Sequence, residues 1–315
     1  MERILQNKLT RFGIYVVLYV FGVFVFFNLV FAKNESEKID NLVKNVETES
    51  SSTQEETKNI NTNGIDVSKL STNVNTGKPN SILTEKTILE GLKNSDDPDV
   101  KEILKNKDKL SLSYLALLYR NPEAKLFIQD KLENRTVDEF TGESVDFKRD
   151  IPYYLQWDRR WGQKKYTSEN IAINGCGPTS MAMVISGLLK DDSITPVELA
   201  KYEEYAEGAG TGWKYFTEVP EKYGIKVKEL STDEKIYKNE LSNGRPIIAN
   251  VGPGDFSSIG HYIVIIGVDD DGNFIINDSN SPTNTSEKWS FERLKQQIKN
   301  SWSYYKGCLL YTSPS

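Results

Sequence analysis

The strand-like patterns of this chain are concentrated towards its C-terminal end, and this clustering constrains the fold more than any other feature. Apolar and β-branched runs that predict strands occupy residues 225–230, 246–251, 261–268, 273–278 and 301–306. Helical patterns lie before and between them, from Pro178 onwards and at residues 196–205, 213–222, 233–241 and 290–299. Turns are predicted between two pairs of these strands, at 252–256 and 269–272. The order therefore predicts an α+β fold in which helices pack on an antiparallel sheet.

A run without charged residues occupies positions 12–32, after Arg3, Lys8 and Arg11. About twenty apolar residues can span a bilayer as a helix, and preceding basic residues favour a cytoplasmic N-terminus. The small side chain of Ala32 also fits a signal-peptide cleavage site. We therefore predict a single-pass protein of the cell membrane with its globular part outside the cytoplasm, or a secreted protein if the segment is cleaved.

Composition divides the rest of the chain. Residues 33–80 are polar and contain no aromatic residue, which predicts disorder. Four short helical patterns follow, at 84–93, 98–107, 111–120 and 122–131. The predicted organisation is a cytoplasmic N-terminus (1–11), a membrane anchor or signal peptide (12–32), a disordered linker (33–80), a small helical segment (81–135), a mixed domain (145–306) and a tail (307–315) that is similar to translated sequencing-adapter sequence.

Charge and composition exclude several classes of function. The chain has 45 acidic and 39 basic residues and a formal net charge of −6, with no basic patch interleaved with aromatics, so nucleic acid is not expected as a partner. It contains one histidine and two distant cysteines, too few for a zinc site. We therefore expect neither a metal nor a cofactor.

Cys176 lies between Gly175 and Gly177, just before the helix predicted to start at Pro178. Proline at the first helical position would make Gly177 the N-cap and set Cys176 outside the positive end of the helix dipole. That placement favours a thiolate, and the glycines leave the sulfur accessible. The alternatives are a disulfide with Cys308 and a packed residue in a turn.

His261, the single histidine, begins the most apolar strand pattern and is the one imidazole available as a base for a thiol. A turn at 269–272 leads into the next strand. A two- or four-residue loop would set His261, Asp278 and Asn280 on one sheet face, with Asp278 near enough to orient the imidazole. A three-residue loop or a bulge would separate them. The alternative is an ordinary hydrogen-bonded histidine at a strand end.

These residues lie within motifs that resemble those of papain-like cysteine peptidases. The resemblance is closest to the peptidase C39-like group, the stand-alone exported branch of the bacterial family whose best-known members remove double-glycine leaders from bacteriocins. It runs from about Leu110 to Lys306 and is carried, in order, by NPEAKLFIQDK, IPYYLQWDRRWG, GCGPTSMAMV, GTGW, GPGDFSSIGHYIVIIG and INDSNS. It implies a papain-like peptidase domain over residues 145–306.

The resemblance also implies roles for individual residues. Cys176 would be the nucleophile, His261 the base, Asp278 the group that orients the base, and Gln156 a donor to the oxyanion. Ser279 follows Asp278 where relatives tend to carry proline.

Glycine-rich sequence near two of these motifs predicts substrate contacts. Gly177 follows the cysteine, and Trp213 follows a glycine-rich loop, where it would either line a substrate groove or anchor the core.

From these motifs together, we expect a cysteine peptidase that hydrolyses a peptide amide bond through a thioester. The alternatives are an amide hydrolase acting on peptidoglycan peptides and a non-catalytic surface binding module.

Overall fold

The computed structural model of the protein describes residues 62–307. The α-helices of this part are α1 (Glu85–Lys93), α2 (Pro98–Lys105), α3 (Leu112–Arg120), α4 (Lys125–Glu133), α5 (Ile171–Asn174), α6 (Cys176–Leu189), α7 (Pro196–Ala200), α8 (Trp213–Glu218), α9 (Glu234–Ser242), α10 (Pro282–Ser286) and α11 (Phe291–Lys295). Its strands are β1 (Val74–Asn75), β2 (Lys165–Tyr166), β3 (Glu169–Asn170), β4 (Ala206–Glu207), β5 (Gly210–Thr211), β6 (Ile225–Leu230), β7 (Ile247–Val251), β8 (His261–Val268), β9 (Phe274–Asn277), β10 (Lys288–Trp289) and β11 (Ile298–Lys306).

Local sequence explains where several helices begin and end. The side chain of Asp97 accepts from two backbone N–H groups at the start of α2, and Pro98 takes the first helical position. The pattern at 213–222 is divided because Pro220, which has no N–H, begins a separate 3-10 turn after α8. The helices predicted at 84–93, 98–107 and 111–120 are confirmed to within two residues at each end.

One sheet organises the described residues. It has seven strands in the order β1-β10-β9-β8-β7-β11-β6. All neighbours are antiparallel except β1 and β10, which are parallel. Strands β1 and β10 are only two residues long, too short to leave a period-2 pattern, and the sequence did not predict them.

Two apolar cores cover the two faces of this sheet. Strand residues of β7, β8 and β11 alternate between them: Ile248 and Val264 belong to the first core, whereas Ile247 and Ile263 belong to the second. The first core also contains α6 and the helices α1 to α4, and the second contains residues of α9 and α11. The predicted fold class is therefore confirmed: the fold is α+β, with the helix that carries Cys176 packed on an antiparallel sheet that carries His261 and leads to Asp278.

The β8–β9 hairpin has a different loop from the predicted one but the predicted register near His261. Val268 pairs with Phe274, so the loop has five residues, which alone would reverse the faces. A β-bulge between Ile265 and Gly267 adds one residue to β8 and restores the register, so that Val264 pairs with Asn277. His261 and Asp278 consequently lie within reach of each other.

Residues 62–80 differ from the predicted disordered linker. Val74 and Asn75 form β1, and the Ser290 N–H donates to the Asn75 carbonyl over 3.0 Å. Ile65 is buried in the first core. Composition missed this because the contacts are made mainly by the backbone, which covers a sheet edge. The linker residues 33–61 lie outside the described residues, as do predicted segments 1–11 and 12–32 and most of the tail, residues 308–315.

The predicted location as a single-pass membrane protein is wrong on the structural evidence. Across residues 62–307, none of the helices combines the length and the apolar character that a bilayer crossing requires. The run at 12–32 that motivated the prediction lies outside the described residues.

Candidate active site

Cys176 is the first residue of α6, which corrects the predicted helix start. Gly175, not Gly177, is the N-cap, and the Thr179 N–H donates to the Gly175 carbonyl over 3.0 Å in the first bond of the helix. Pro178 therefore occupies the third helical position, where its missing N–H leaves no bond unmade. The N–H groups of Cys176 and Gly177 precede that first bond and have no acceptor in their own helix.

The Cys176 thiol is free and partly exposed. It lies at the positive end of a helix of 14 residues, where a negative charge is stabilised. One turn further along α6, the Ser180 hydroxyl donates to the Tyr262 carbonyl over 3.2 Å. This bond ties the cysteine helix to the strand residue that follows His261.

His261 and Asp278 form a buried hydrogen-bonded pair. Imidazole Nε2 and carboxylate Oδ1 are 2.7 Å apart, and the side chains are 4% and 0% exposed. Because a carboxylate only accepts, Nε2 carries the hydrogen. The Cys176 side chain lies close enough to the imidazole to raise its pKa, and because Nε2 is taken by Asp278, Nδ1 is the ring nitrogen left for the sulfur. The predicted proximity of His261 and Asp278 is confirmed, whereas their catalytic roles stay predictions.

The electrostatics of the pair favour a protonated imidazole. Burial opposes the charged form, but the Asp278 carboxylate, its hydrogen bond and the Cys176 side chain outweigh burial and raise the pKa of His261 to about 10. A proton that leaves the thiol is therefore held by the imidazole at neutral pH.

Asp278 is oriented by residues that sequence analysis missed. Its Oδ1 also accepts from the Asn280 N–H over 2.9 Å, and its Oδ2 accepts from Asn284 Nδ2 over 2.8 Å. Its own N–H donates to the Thr285 hydroxyl over 2.9 Å. Asn280 was predicted to share the face of His261, but it contributes its backbone rather than its side chain. In the sequence, the positions of Asn284 and Thr285 are indicated only by the Ser-Pro pair at 281–282, which begins the short helix α10 that carries them.

Gln156 lies between α5, the short helix before the cysteine helix, and the turn that follows Asp278. Its backbone N–H donates to the Ser279 carbonyl over 2.8 Å, and its Nε2 donates to the Ala172 carbonyl of α5 over 2.7 Å. The Ser279 hydroxyl donates to Gln156 Oε1 over 3.0 Å. These two side-chain bonds fix which way the amide points, and the NH2 group has a second hydrogen to donate. Ser279 was noted in the sequence only as a departure from the relatives.

Gly177 and Trp213 are the two residues predicted to contact substrate, and both lie near a close contact between α6 and the β4–β5 hairpin. Gly177 packs so tightly against Thr211 that a Cβ at this position would lie 2.3 Å from Thr211 Oγ1. Thr211 is held by Tyr166, whose hydroxyl is 2.7 Å from Oγ1, and by Tyr262. Trp213, two residues further on, is 52% exposed, so it is not the core anchor that was the alternative. Gly212 is the N-cap of α8, which begins at Trp213.

The arrangement has the parts of a nucleophilic site. A thiol at a helix N-terminus lies near an imidazole, the imidazole donates to a fully buried carboxylate, and the Gln156 amide is fixed between α5 and the turn after Asp278. Such a set can transfer a proton from the thiol to the base and direct donors at a developing negative charge. Between residues 62 and 307 no cluster of His, Cys, Asp and Glu is arranged to hold a metal ion.

Solved structures of other proteins are similar to parts of this chain. Similar solved structures include the peptidase domain of Streptococcus ComA, a bi-functional ABC transporter involved in a quorum sensing pathway, with 20% identity over 42% of this chain and 93% of that chain and a TM-score of 0.33. Another is a C39-like peptidase from Bacillus anthracis, with 16% identity over 54% of this chain and 99% of that chain and a TM-score of 0.33. No curated protein matches the chain significantly.

The family comparison covers the site itself. The sequence pattern of the Peptidase_C39 like family matches residues 148–309, just over half of the 315-residue chain. The match includes Cys176, His261 and Asp278, and with them Gln156 and Trp213. The chain belongs to the Peptidase_C39 like family.

Proposed function

We propose that the protein is a cysteine peptidase that hydrolyses a peptide amide bond through a thioester intermediate. The observation that carries the proposal is the buried 2.7 Å hydrogen bond from His261 Nε2 to Asp278 Oδ1, with the Cys176 side chain close enough to the imidazole to raise its pKa. The family of the chain supports the same chemistry. Nothing in the proposal depends on where the protein resides.

Acylation is the first half of the reaction. The Cys176 proton passes to His261 Nδ1, and the sulfur attacks the carbonyl carbon of the scissile amide. The resulting oxyanion accepts from the Cys176 N–H and from Gln156 Nε2. The C–N bond then breaks, the leaving amine takes the proton from His261, and the acyl group stays on the sulfur as a thioester.

Deacylation regenerates the enzyme. A water molecule gives a proton to His261 while its oxygen attacks the thioester carbonyl. The second oxyanion uses the same donors, and the C–S bond breaks. The peptide acid leaves, and the sulfur and imidazole again share one proton. Asp278 holds Nε2 throughout and stabilises the imidazolium in both halves.

The alternative functions have less support. A peptidoglycan amide hydrolase was suggested by the predicted cell-surface location alone, and no side-chain arrangement within residues 62–307 favours it over a peptidase, so we do not propose it. A non-catalytic binding module has no physical need for a buried His261–Asp278 pair beside a partly exposed thiol. Burying a carboxylate is costly unless its acceptor sites are filled, and here they are filled in the way that orients a base.

Digestion of a peptide library by the full-length protein tests the proposal. We expect new peptide termini, detected by mass spectrometry, with the wild-type protein and none with Cys176→Ala or His261→Ala. Cys308→Ala is the matched control and should cleave as the wild type does. Cleavage by the Cys176→Ala variant at the wild-type rate would contradict the proposal.

A further inference from the structure

Helix α3 contacts both arms of the candidate active site. We define the cysteine arm as α5 and the start of α6, and the histidine loop as residues 252–260, which lead directly into His261. We propose that α3 is a brace that holds these two arms in register, with Tyr114 and Arg120 as positioning residues. This inference rests on the proposed function, because it concerns the alignment of the same nucleophile and base.

Tyr114 is the contact with the cysteine arm. Its hydroxyl oxygen accepts from Asn170 Nδ2 over 2.7 Å, and the tyrosine is 4% exposed. Asn170 is the N-cap of α5, where its Oδ1 accepts from the Ile173 N–H over 3.2 Å. A single residue separates α5 from Cys176, so the orientation of Asn170 bears on the start of the cysteine helix.

Arg120, at the other end of α3, is the contact with the histidine loop. Its guanidinium donates to the Asp255 carbonyl over 3.3 Å and to the Ser258 hydroxyl over 3.0 Å. It also lies close enough to Asp278 for the two charges to attract each other. Ser258 is three residues before His261, so this bond acts on the loop close to the base.

The position of the second half of the histidine loop, residues 257–260, depends on contacts with residues outside the loop. Its first half is anchored: Asp255 receives two hydrogen bonds from Arg293 and one from Gln297, and Phe256 is buried against Trp289. From Ser257 to Gly260 no residue is buried, and Ile259 is 85% exposed. Within residues 62–307, the Arg120–Ser258 bond is therefore the side-chain hydrogen bond that ties this second half to the body of the protein.

The brace is itself rigidly held. Leu117 and Leu118 of α3 belong to the first core together with Trp157 and Trp161 of the peptidase domain. Residues in such a core are packed closely enough to transmit a displacement. The region matched by the family begins at residue 148, so α3 reaches the site from sequence outside that match. The helical segment thus supports the site, and Cys176 stays partly exposed beside it.

Point variants of the full-length protein separate this role from a general loss of stability. Arg120→Met and Tyr114→Phe should each lower kcat with little change in KM, Arg120→Met by roughly 10- to 100-fold, because small displacements of a base are costly. Ser258→Ala should lower kcat less, and it should add little to Arg120→Met, because both remove one contact. Tyr119→Phe in the same helix and Arg245→Met, whose partner is Glu240, are the controls.

A second readout keeps the inference testable apart from peptide hydrolysis. The rate at which iodoacetamide alkylates Cys176 should fall in Arg120→Met, Tyr114→Phe and Ser258→Ala, because His261 no longer assists the thiol. Unchanged alkylation and kcat in all three variants would overturn the brace. Higher activity in Arg120→Met would also overturn it and would indicate an inhibitory segment. A wild type that alkylates fast but cleaves no peptide would contradict the proposed function while leaving the brace supported.

Discussion

Asp278 is the residue through which most of the site is oriented. Three donors converge on its carboxylate: His261 Nε2, the Asn280 N–H and Asn284 Nδ2. Because the carboxylate is fully buried, each lone pair that is filled offsets part of the cost of removing the charge from water. The result is a negative charge held still beside an imidazole, which is the physical reason why the pKa of His261 is raised.

Replacing Asp278 with asparagine removes this charge while keeping the shape. Burial then dominates, so the pKa of His261 should fall from about 10, and the imidazole should lose its proton at lower pH. We expect kcat to fall by about 10²–10⁴-fold and the alkaline limb of the kcat/KM profile to move to lower pH. A fluorogenic peptide assayed across the pH range measures both. Asp271→Asn, in the exposed hairpin turn, is the control, and an unmoved alkaline limb in Asp278→Asn would refute this view of the pair.

Gly177 is a position where one added methyl group should disturb the site. A Cβ added at Gly177 would lie 2.3 Å from Thr211 Oγ1 and 2.6 Å from Thr211 Cβ. Gly177→Ala must therefore shift either the start of α6 or the β4–β5 hairpin that carries Thr211. We expect a loss of kcat, with partial recovery in Gly177→Ala/Thr211→Gly. Gly210→Ala, on the same hairpin with open space around it, should behave as the wild type does. Normal kinetics in the single Gly177 variant would count against the role of this contact.

Among the structural elements, the turn after β9 links the carboxylate to the amide. Asp278 and Ser279 are adjacent, and they serve His261 and Gln156 respectively. The turn therefore couples the orientation of the base to that of the oxyanion donor. A proline at position 279 would have no hydroxyl to make the bond to Gln156.

Removing the Ser279 hydroxyl tests this link. Ser279→Ala leaves the buried Gln156 Oε1 without its donor, so the amide is less firmly held. We expect kcat to fall by less than the 10²–10³-fold that loss of an oxyanion donor itself costs, with KM little changed. Gln156→Ala should show the full loss, and Ser279→Thr should retain activity. Equal losses in Ser279→Thr and Ser279→Ala, measured by steady-state kinetics, would argue against a role for the hydroxyl.

The hairpin illustrates what a sequence can and cannot predict about such elements. The alternation of β8 and the position of the turn led to the correct expectation that Asp278 lies close to His261. The loop length was not predictable, because Asp269 Oδ1 accepts from the N–H groups of Asp271 and Asn273 and widens the turn to five residues. The bulge at Ile266 then cancels the change of register, so the predicted outcome holds for a reason that was not foreseen.

Contacts between segments that are distant in the chain also could not be predicted from the sequence. The bonds from Gln156 to Ala172 and from Arg120 to Ser258 join residues whose partners are a backbone carbonyl and a common hydroxyl. No residue type or spacing identifies such partners, since they depend on how the whole chain closes. Cys176 and His261, by contrast, are rare residue types in telling local contexts, and they could be chosen from the sequence.

At the scale of the whole molecule, the described residues belong to one compact unit, and the helical segment shares its core with the domain that carries the site. One half-buried carboxyl group, that of Glu143, makes the stability of this unit depend on pH. Burial raises the pKa of Glu143 to about 7, and its Oε2 accepts from the Tyr153 N–H over 3.1 Å. The folded state thus holds a proton on Glu143 more tightly than the unfolded chain does.

The direction in which the free energy of unfolding changes with pH can be measured. A raised carboxyl pKa means that stability is undiminished below pH 4.5 and falls as pH rises towards 7. Glu143→Gln keeps an acceptor for Tyr153 and removes the ionisation, so it should match the wild type at pH 4 and be more stable at pH 8. Urea unfolding at the two pH values gives both free energies. Equal stability of the two proteins at pH 8 would show that Glu143 ionises without cost.

The central claim is that Cys176 becomes acylated during peptide hydrolysis. Acid quenching of the full-length protein with a peptide nitrophenyl ester, followed by mass spectrometry, measures this directly, because an activated ester acylates faster than the thioester hydrolyses. We predict an acyl adduct on the fragment that contains Cys176, which disappears with time and does not form in Cys176→Ala or His261→Ala. Turnover of a peptide substrate with no adduct at Cys176, or at the wild-type rate in Cys176→Ala, would contradict the account.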